Sequence, residues 1–158
     1  MATLTQQIID LLKDKNSIKA LATVDRNGEV HLVYKGSITV TKDETKIELT
    51  ELLETSQTQK NLTGSIWFNK KVAINVLGKD GTSYEIKGIP ERYIIAGPAF
   101  EDRYKEIRTR DPESDLSGIW IINPVSVREE TYLVRLRKEK ENYPIIGHLD
   151  RDLPDNRI

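Results

Sequence analysis

Seven consecutive polar side chains run from Thr55 to Asn61, in the order Thr55-Ser56-Gln57-Thr58-Gln59-Lys60-Asn61. They follow a strand-like segment and open a short helix. Hydroxyls, the N–H groups of a helix start and one ammonium group are what an anionic phosphate needs. Lys35, beside Gly36 on a neighbouring hairpin, adds a second cation. A plainer reading uses the same spacing: Thr55 or Ser56 caps the helix and the lysines are solvated.

Most other catalytic toolkits are missing. There is no Walker-type phosphate loop, no Gly-x-Gly-x-x-Gly after a strand and no Gly-x-Ser-x-Gly elbow. Cysteine is absent, which excludes disulfides, thiolate nucleophiles, iron–sulfur clusters and Cys-based zinc sites. The two histidines, His31 and His148, stand far apart, so no metal site is expected. Redox chemistry would have to come from a bound cofactor. Several chemically capable residues have simpler roles. His31 reads as a cross-strand residue, Trp67 and Trp120 as packing anchors, and Tyr93 and Tyr104 as packing residues with a wet hydroxyl. Pairs such as Glu101–Lys105 and Glu106–Arg110 account for the charges around Arg108 and Arg110 without a ligand.

The chain has 158 residues, the size of one ordinary domain. With 24 Lys and Arg against 25 Asp and Glu, the net charge is −1. That balance lacks the basic footprint of a nucleic-acid binder, and aromatics at 6% are sparse for base stacking. No apolar run approaches the roughly 18–20 residues of a membrane span. Met1–Asn16 lacks the apolar core of a signal peptide. A cytoplasmic protein without nucleic-acid or membrane partners is expected.

The elements that must position the polar stretch follow from periodicity. Leu4, Ile8, Leu11 and Leu12 make a helical stripe, and Thr3 with Gln6 resembles a capping box. The period then drops to two. Ile18–Val24 and Val30–Tyr34 flank Asn27-Gly28, a two-residue hairpin signal. Lys35-Gly36 reads as a bulge, with the same strand continuing over Ser37–Thr41. Strands are expected over Lys46–Leu53, Val72–Leu77, Thr82–Ala96 (broken at Gly88 and Pro90), Ser117–Ile122 and Val125–Leu136. Short helices are expected over Thr55–Leu62 and from Pro98, where proline suits the first helical turn. Residues 1–136 form the domain, and 137–158 form an arm or tail. So many strands with few helices favour a closed antiparallel sheet, because closure removes exposed edges.

The order of these pieces resembles the pyridoxamine 5′-phosphate oxidase-like family. The matching segments are Ala20-Leu21-Ala22-Thr23-Val24-Asp25 with Asn27-Gly28, Val33-Tyr34-Lys35-Gly36, Thr58-Gln59-Lys60-Asn61-Leu62, Lys71-Val72-Ala73-Ile74-Asn75-Val76 and Glu85-Ile86-Lys87-Gly88. They span most of residues 4–132. The resemblance implies a mainly β fold, a Greek-key antiparallel FMN-binding split β-barrel with a few α-helices. It also implies an FMN cofactor and a homodimer acting on a small molecule. Thr58 and Lys60, with Ser56 nearby, would grip the FMN phosphate. Lys35 would make a second phosphate or ring contact, and the ring would lie near Tyr34 and Thr50 between two subunits. An oxidoreductase follows from that cofactor; a flavin or flat-ligand carrier and a deazaflavin cofactor are the neighbouring alternatives. The chain departs from the biosynthetic oxidases at Val30, where they carry Arg. It departs again at Gln59, where Ser-Arg-Lys becomes Thr58-Gln59-Lys60, and over residues 142–158, which do not match their arginine-rich, substrate-binding C-terminus. These departures argue against oxidation of pyridoxamine phosphate itself. The homodimer would use surplus apolar surface on Val72–Leu77 and around Asn123-Pro124.

Overall fold

The computed structural model describes residues 2–144. Seven strands form one antiparallel sheet: β1 (Ile18–Val24), β2 (Val30–Tyr34), β3 (Ile38–Val40), β4 (Ile47–Glu51), β5 (Val72–Leu77), β6 (Ser83–Ile94) and β7 (Gly118–Glu129). Four helices accompany them: α1 (Gln6–Lys13), α2 (Gln57–Phe68), α3 (Pro98–Arg110) and α4 (Tyr132–Asn142). The strand order is β2-β1-β5-β6-β7-β4-β3. The two edge strands, β2 and β3, are joined by only Lys35–Ser37, so the sheet must curl until its ends approach each other. This is the mainly β, barrel-like antiparallel fold expected, split along one seam.

Alternation decides which side chains fill the barrel. Leu21 on β1, Ile74 and Val76 on β5, Ile86 on β6, Trp120 and Ile122 on β7, and Ile47 and Leu49 on β4 are all buried. On α1, Ile8, Ile9 and Leu12 join this core, packing towards β3 and β5. Leu62 of α2 does the same. Fully burying one such side chain is worth about 1.5–3 kcal/mol.

Five local expectations change. The second helix, expected over Thr55–Leu62, starts at Gln57 and runs on to Phe68. The first helix starts later, with Thr5 as a cap that makes no side-chain bond. The β1–β2 hairpin is present, but its connection runs from Asp25 to Glu29. Asp25 Oδ1 accepts from the Asn27 and Glu29 amides at 2.8 and 2.9 Å, and Gly28 takes φ +86°. The aspartate thus organises a longer loop in which only the glycine needs positive φ. Lys35-Gly36 is no bulge: it carries the chain from one sheet edge to the other. Finally, the expected Val125–Leu136 strand is the second half of a continuous β7 that ends at Glu129, the partner of Tyr84. Beyond it no neighbouring strand remains, and α4 begins at Tyr132. The expected tail therefore starts inside α4, and its residues from 145 onward, with His148, lie outside the described residues.

Candidate functional site

The sequence-predicted residues occupy two neighbouring places: the barrel seam and the flank of α2. At the seam, Lys35 Nζ lies 2.9 and 3.2 Å from the two carboxylate oxygens of buried Glu51. Glu51 Oε1 also accepts from the Leu53 amide at 3.3 Å. Ser37 Oγ donates to the Thr50 carbonyl at 2.7 Å. Thr50 points to the outer side of β4, under α3, where Arg103 donates to its hydroxyl and to Glu48. Lys35 and Thr50 are therefore both engaged by groups of the chain itself. Tyr34, at the end of β2, is exposed.

The start of α2 is tied to β7 through Trp120 and Tyr93, which the sequence reads as packing residues. Trp120 Nε1 donates to Gln59 Oε1 at 2.6 Å. Tyr93 stacks on Trp120 with ring centroids 4.6 Å apart, and its hydroxyl is 2.5 Å from Ser117 Oγ. Gly118 makes this stack fit: a Cβ there would come within 2.4 Å of the Tyr93 ring. Ser56 caps α2, accepting from the Gln59 amide at 3.0 Å, as the plainer reading expects. Thr58 is buried against the barrel.

Burial, joined by the charges of Glu51 and Glu54, raises the Tyr93 phenol above its ordinary value of 10.0, against the opposing hydrogen bond from Ser117. The folded-state value exceeds the unfolded one. Tyr93 therefore contributes stability that is complete below about pH 10 and is lost as pH rises through the folded value. Alkaline loss of stability in urea titrations should be shallower in Tyr93→Phe than in the wild type. Identical pH slopes would refute the assignment.

On the outer flank of α2, Gln57, Lys60, Asn61, Gly64 and Phe68 share one helical face. Opposite them stand Val24, Asp25 and Arg26 of the β1–β2 hairpin. Lys70 reaches in from beyond the helix end and donates to the Asp25 carbonyl at 2.7 Å. The groove between them has a volume of about 350 Å³. Asn61 anchors its floor, donating to Thr23 Oγ1 at 2.9 Å and accepting from Gln57 at 2.8 Å. Among the described residues, Arg26 and Lys60 make no ion pair. Of the six residues singled out from sequence, Lys60 is the one that lines this groove. Arg26 was missed because its Asp-Arg-Asn-Gly setting reads as turn chemistry.

The outer face of β1 and β2 is apolar. Register sets Ala20 beside Tyr34, Ala22 beside Leu32 and Val24 beside Val30, with Ile18 beside Leu77 of β5. Val30, Leu32 and Tyr34 are 70%, 69% and 76% exposed, too much apolar surface in one place to be incidental. Of the surplus expected on Val72–Leu77 only Leu77 is exposed, because Val72, Ile74 and Val76 turn into the core. Pro124 and Ile122 are likewise buried. Among the described residues, no cluster of three metal-ligating side chains occurs, and no helix is long and apolar enough to cross a membrane.

No family model matches the chain, and no curated protein matches it. Solved structures do. HupZ of Group A Streptococcus superposes with a TM-score of 0.66 at 21% identity, covering 82% of this chain and 96% of that one. An FMN-binding protein from Syntrophomonas wolfei gives 0.56 at 15% identity over 71% of this chain and 76% of its own. The heme storage protein HutZ of Vibrio cholerae gives 0.54 at 11% identity over 84% and 99%. At such identities the likeness is one of fold.

Proposed function

We propose that this chain, which has the split-barrel fold of the pyridoxamine 5′-phosphate oxidase-like proteins, binds FMN and serves as a flavoprotein oxidoreductase on a small molecule. The observation that carries the reading is the cationic groove beside α2. Its cations suit the phosphate dianion, and Phe68 at its edge offers a flat ligand an aromatic neighbour. FMN, when bound, supplies hydride-transfer chemistry at its ring. The chain's own part is to hold and orient. Lys60 pairs with the phosphate, and Asn61 and Thr23 keep the groove floor rigid. The apolar outer face of β1 and β2 is the surface we assign to a second copy of the chain. Dimerisation there would cover Leu32 and Tyr34 and enclose the ring between subunits.

A carrier that holds a flat ligand without turnover is the second reading. It is favoured by the lack, among the described groove residues, of a positioned acid or base. Asp25, the one carboxylate, has its Oδ1 taken by two turn amides. A heme storage protein shares the fold.

Titration with FMN and with hemin, followed by reduction with a nicotinamide donor, tests both. FMN should bind, and Lys60→Ala should weaken it by about 1.5 kcal/mol, roughly tenfold. That is the low end for a charged hydrogen bond, because Lys60 is exposed to screening. Hemin binding with no FMN binding would replace the flavin reading. Bound flavin that no donor reduces would favour the carrier.

A further inference from the structure

We propose that the C-terminal end of α2 is a contact surface for an anionic lipid bilayer, with Trp67 entering the headgroup region and Lys70, Lys71 and Arg26 facing the lipid charge. The proposal goes beyond the flavin reading and does not depend on it. Trp67 and Phe68 occupy the last turn of the helix and are 79% and 70% exposed. Among the described residues, neither ring takes part in an aromatic stack or a cation–π contact. Phe68 borders the α2 groove, whereas Trp67 does not line it. Neighbouring aromatic rings held in water mark a docking surface.

The charge around the rings selects the occupant. Residues 55–79 hold four lysines (Lys60, Lys70, Lys71 and Lys79) and no Asp or Glu, in a chain whose net charge is −1. Asn69 ends α2 in the left-handed conformation at φ 50°, so that Lys70 and Lys71 follow the rings directly. Lys70 Nζ donates to the Asp25 carbonyl at 2.7 Å, which ties the helix end to the β1–β2 loop that carries Arg26. Arg26, Lys60, Lys70 and Lys71 stand against Asp25 and Glu29, four positive groups against two negative, a local charge of +2. Among the described residues, none of the four cations makes an ion pair.

A second copy docked here about a twofold axis would set these cations against their own counterparts, which repel. An anionic bilayer suits both halves of the surface. Indole rings settle in the interfacial zone, and basic side chains are drawn to the charged headgroups. Such a contact lies on the membrane and needs no spanning helix.

The two tryptophans supply the test. Trp120 is buried and Trp67 exposed, so a change of emission on adding lipid reports Trp67. The protein should sediment with vesicles of phosphatidylglycerol and phosphatidylcholine in equal parts, with a blue shift of emission. It should stay in solution with phosphatidylcholine alone, and about 0.5 M sodium chloride should release it from the anionic vesicles. Trp67→Ser should weaken binding about tenfold. Lys71→Gln should weaken it about fivefold, the effect of one basic residue near an anionic surface. Both variants should keep the wild-type melting temperature. Neither residue lines the α2 groove, so lipid binding and flavin binding can fail separately. No sedimentation with the anionic vesicles, or sedimentation unchanged in both variants, would overturn the proposal. Equal binding to phosphatidylcholine would do so too, since the cations would then be idle. Polyglutamate shifting the emission as far as the vesicles do would assign the surface to an acidic protein instead. A wild-type dimer that Trp67→Ser disperses would assign it to a second copy.

Discussion

Lys35→Met should destabilise the protein by about 3 kcal/mol, read as a fall in the urea midpoint at unchanged slope. The reason lies in Glu51, which is 2% exposed while its lysine partner is 18% exposed. Removing the lysine strands a buried carboxylate whose remaining protein donor is the Leu53 amide. That surviving bond holds the loss near the lower end of the roughly 3–5 kcal/mol typical of a broken buried pair. Lys35→Met/Glu51→Leu should recover much of the loss, because the uncompensated charge goes with its partner. The double variant should also bind flavin like the wild type, since the pair ties the β2–β3 link to the β4–α2 corner without entering the α2 groove. A single variant less than about 1 kcal/mol below the wild type would show that water already solvates Glu51.

Trp120→Ala should cost about 3–5 kcal/mol, the range for deleting a buried large aromatic side chain. Trp120 is 1% exposed, stacks on Tyr93 and donates to Gln59. Its loss opens a cavity beneath the stack and leaves the Gln59 amide without its partner at the start of α2. For a chain of this size the melting temperature should fall by roughly 10 °C. Trp67→Ala is the matched control. That ring is 79% exposed, and its removal should change stability by no more than about 0.5 kcal/mol. Similar losses from both tryptophans would contradict the packing described.

Those two tryptophans mark the limit of reading by composition. Both read as anchors in the sequence, yet one is buried on β7 against the Tyr93 ring and the other stands in the open at the end of α2. The hydrophobic pattern told which residues alternate, and so the strands β1, β5 and β6 emerged nearly at their true bounds. It was silent on partners. Ser37–Thr41 looks the same whether it prolongs β2 or crosses to the far edge, because alternation has no memory of which neighbour supplies the hydrogen bonds. The helix α4 was lost for a related reason: the apolar residues Tyr132, Leu133, Val134 and Leu136 suit a strand, and only the end of the β6 ladder at Glu129 stops them from being one.

The site divides along the same line. Residue types and their order determined the split-barrel class and placed a phosphate-seeking stretch at the start of α2, since helix starts and hydroxyls are local properties. Tertiary structure alone decided that Lys35 answers Glu51 and that Lys60 shares its groove with Arg26 and Lys70. Such groupings join side chains far apart in the chain, and electrostatic partnership depends on distance in space, which folding sets and sequence separation does not.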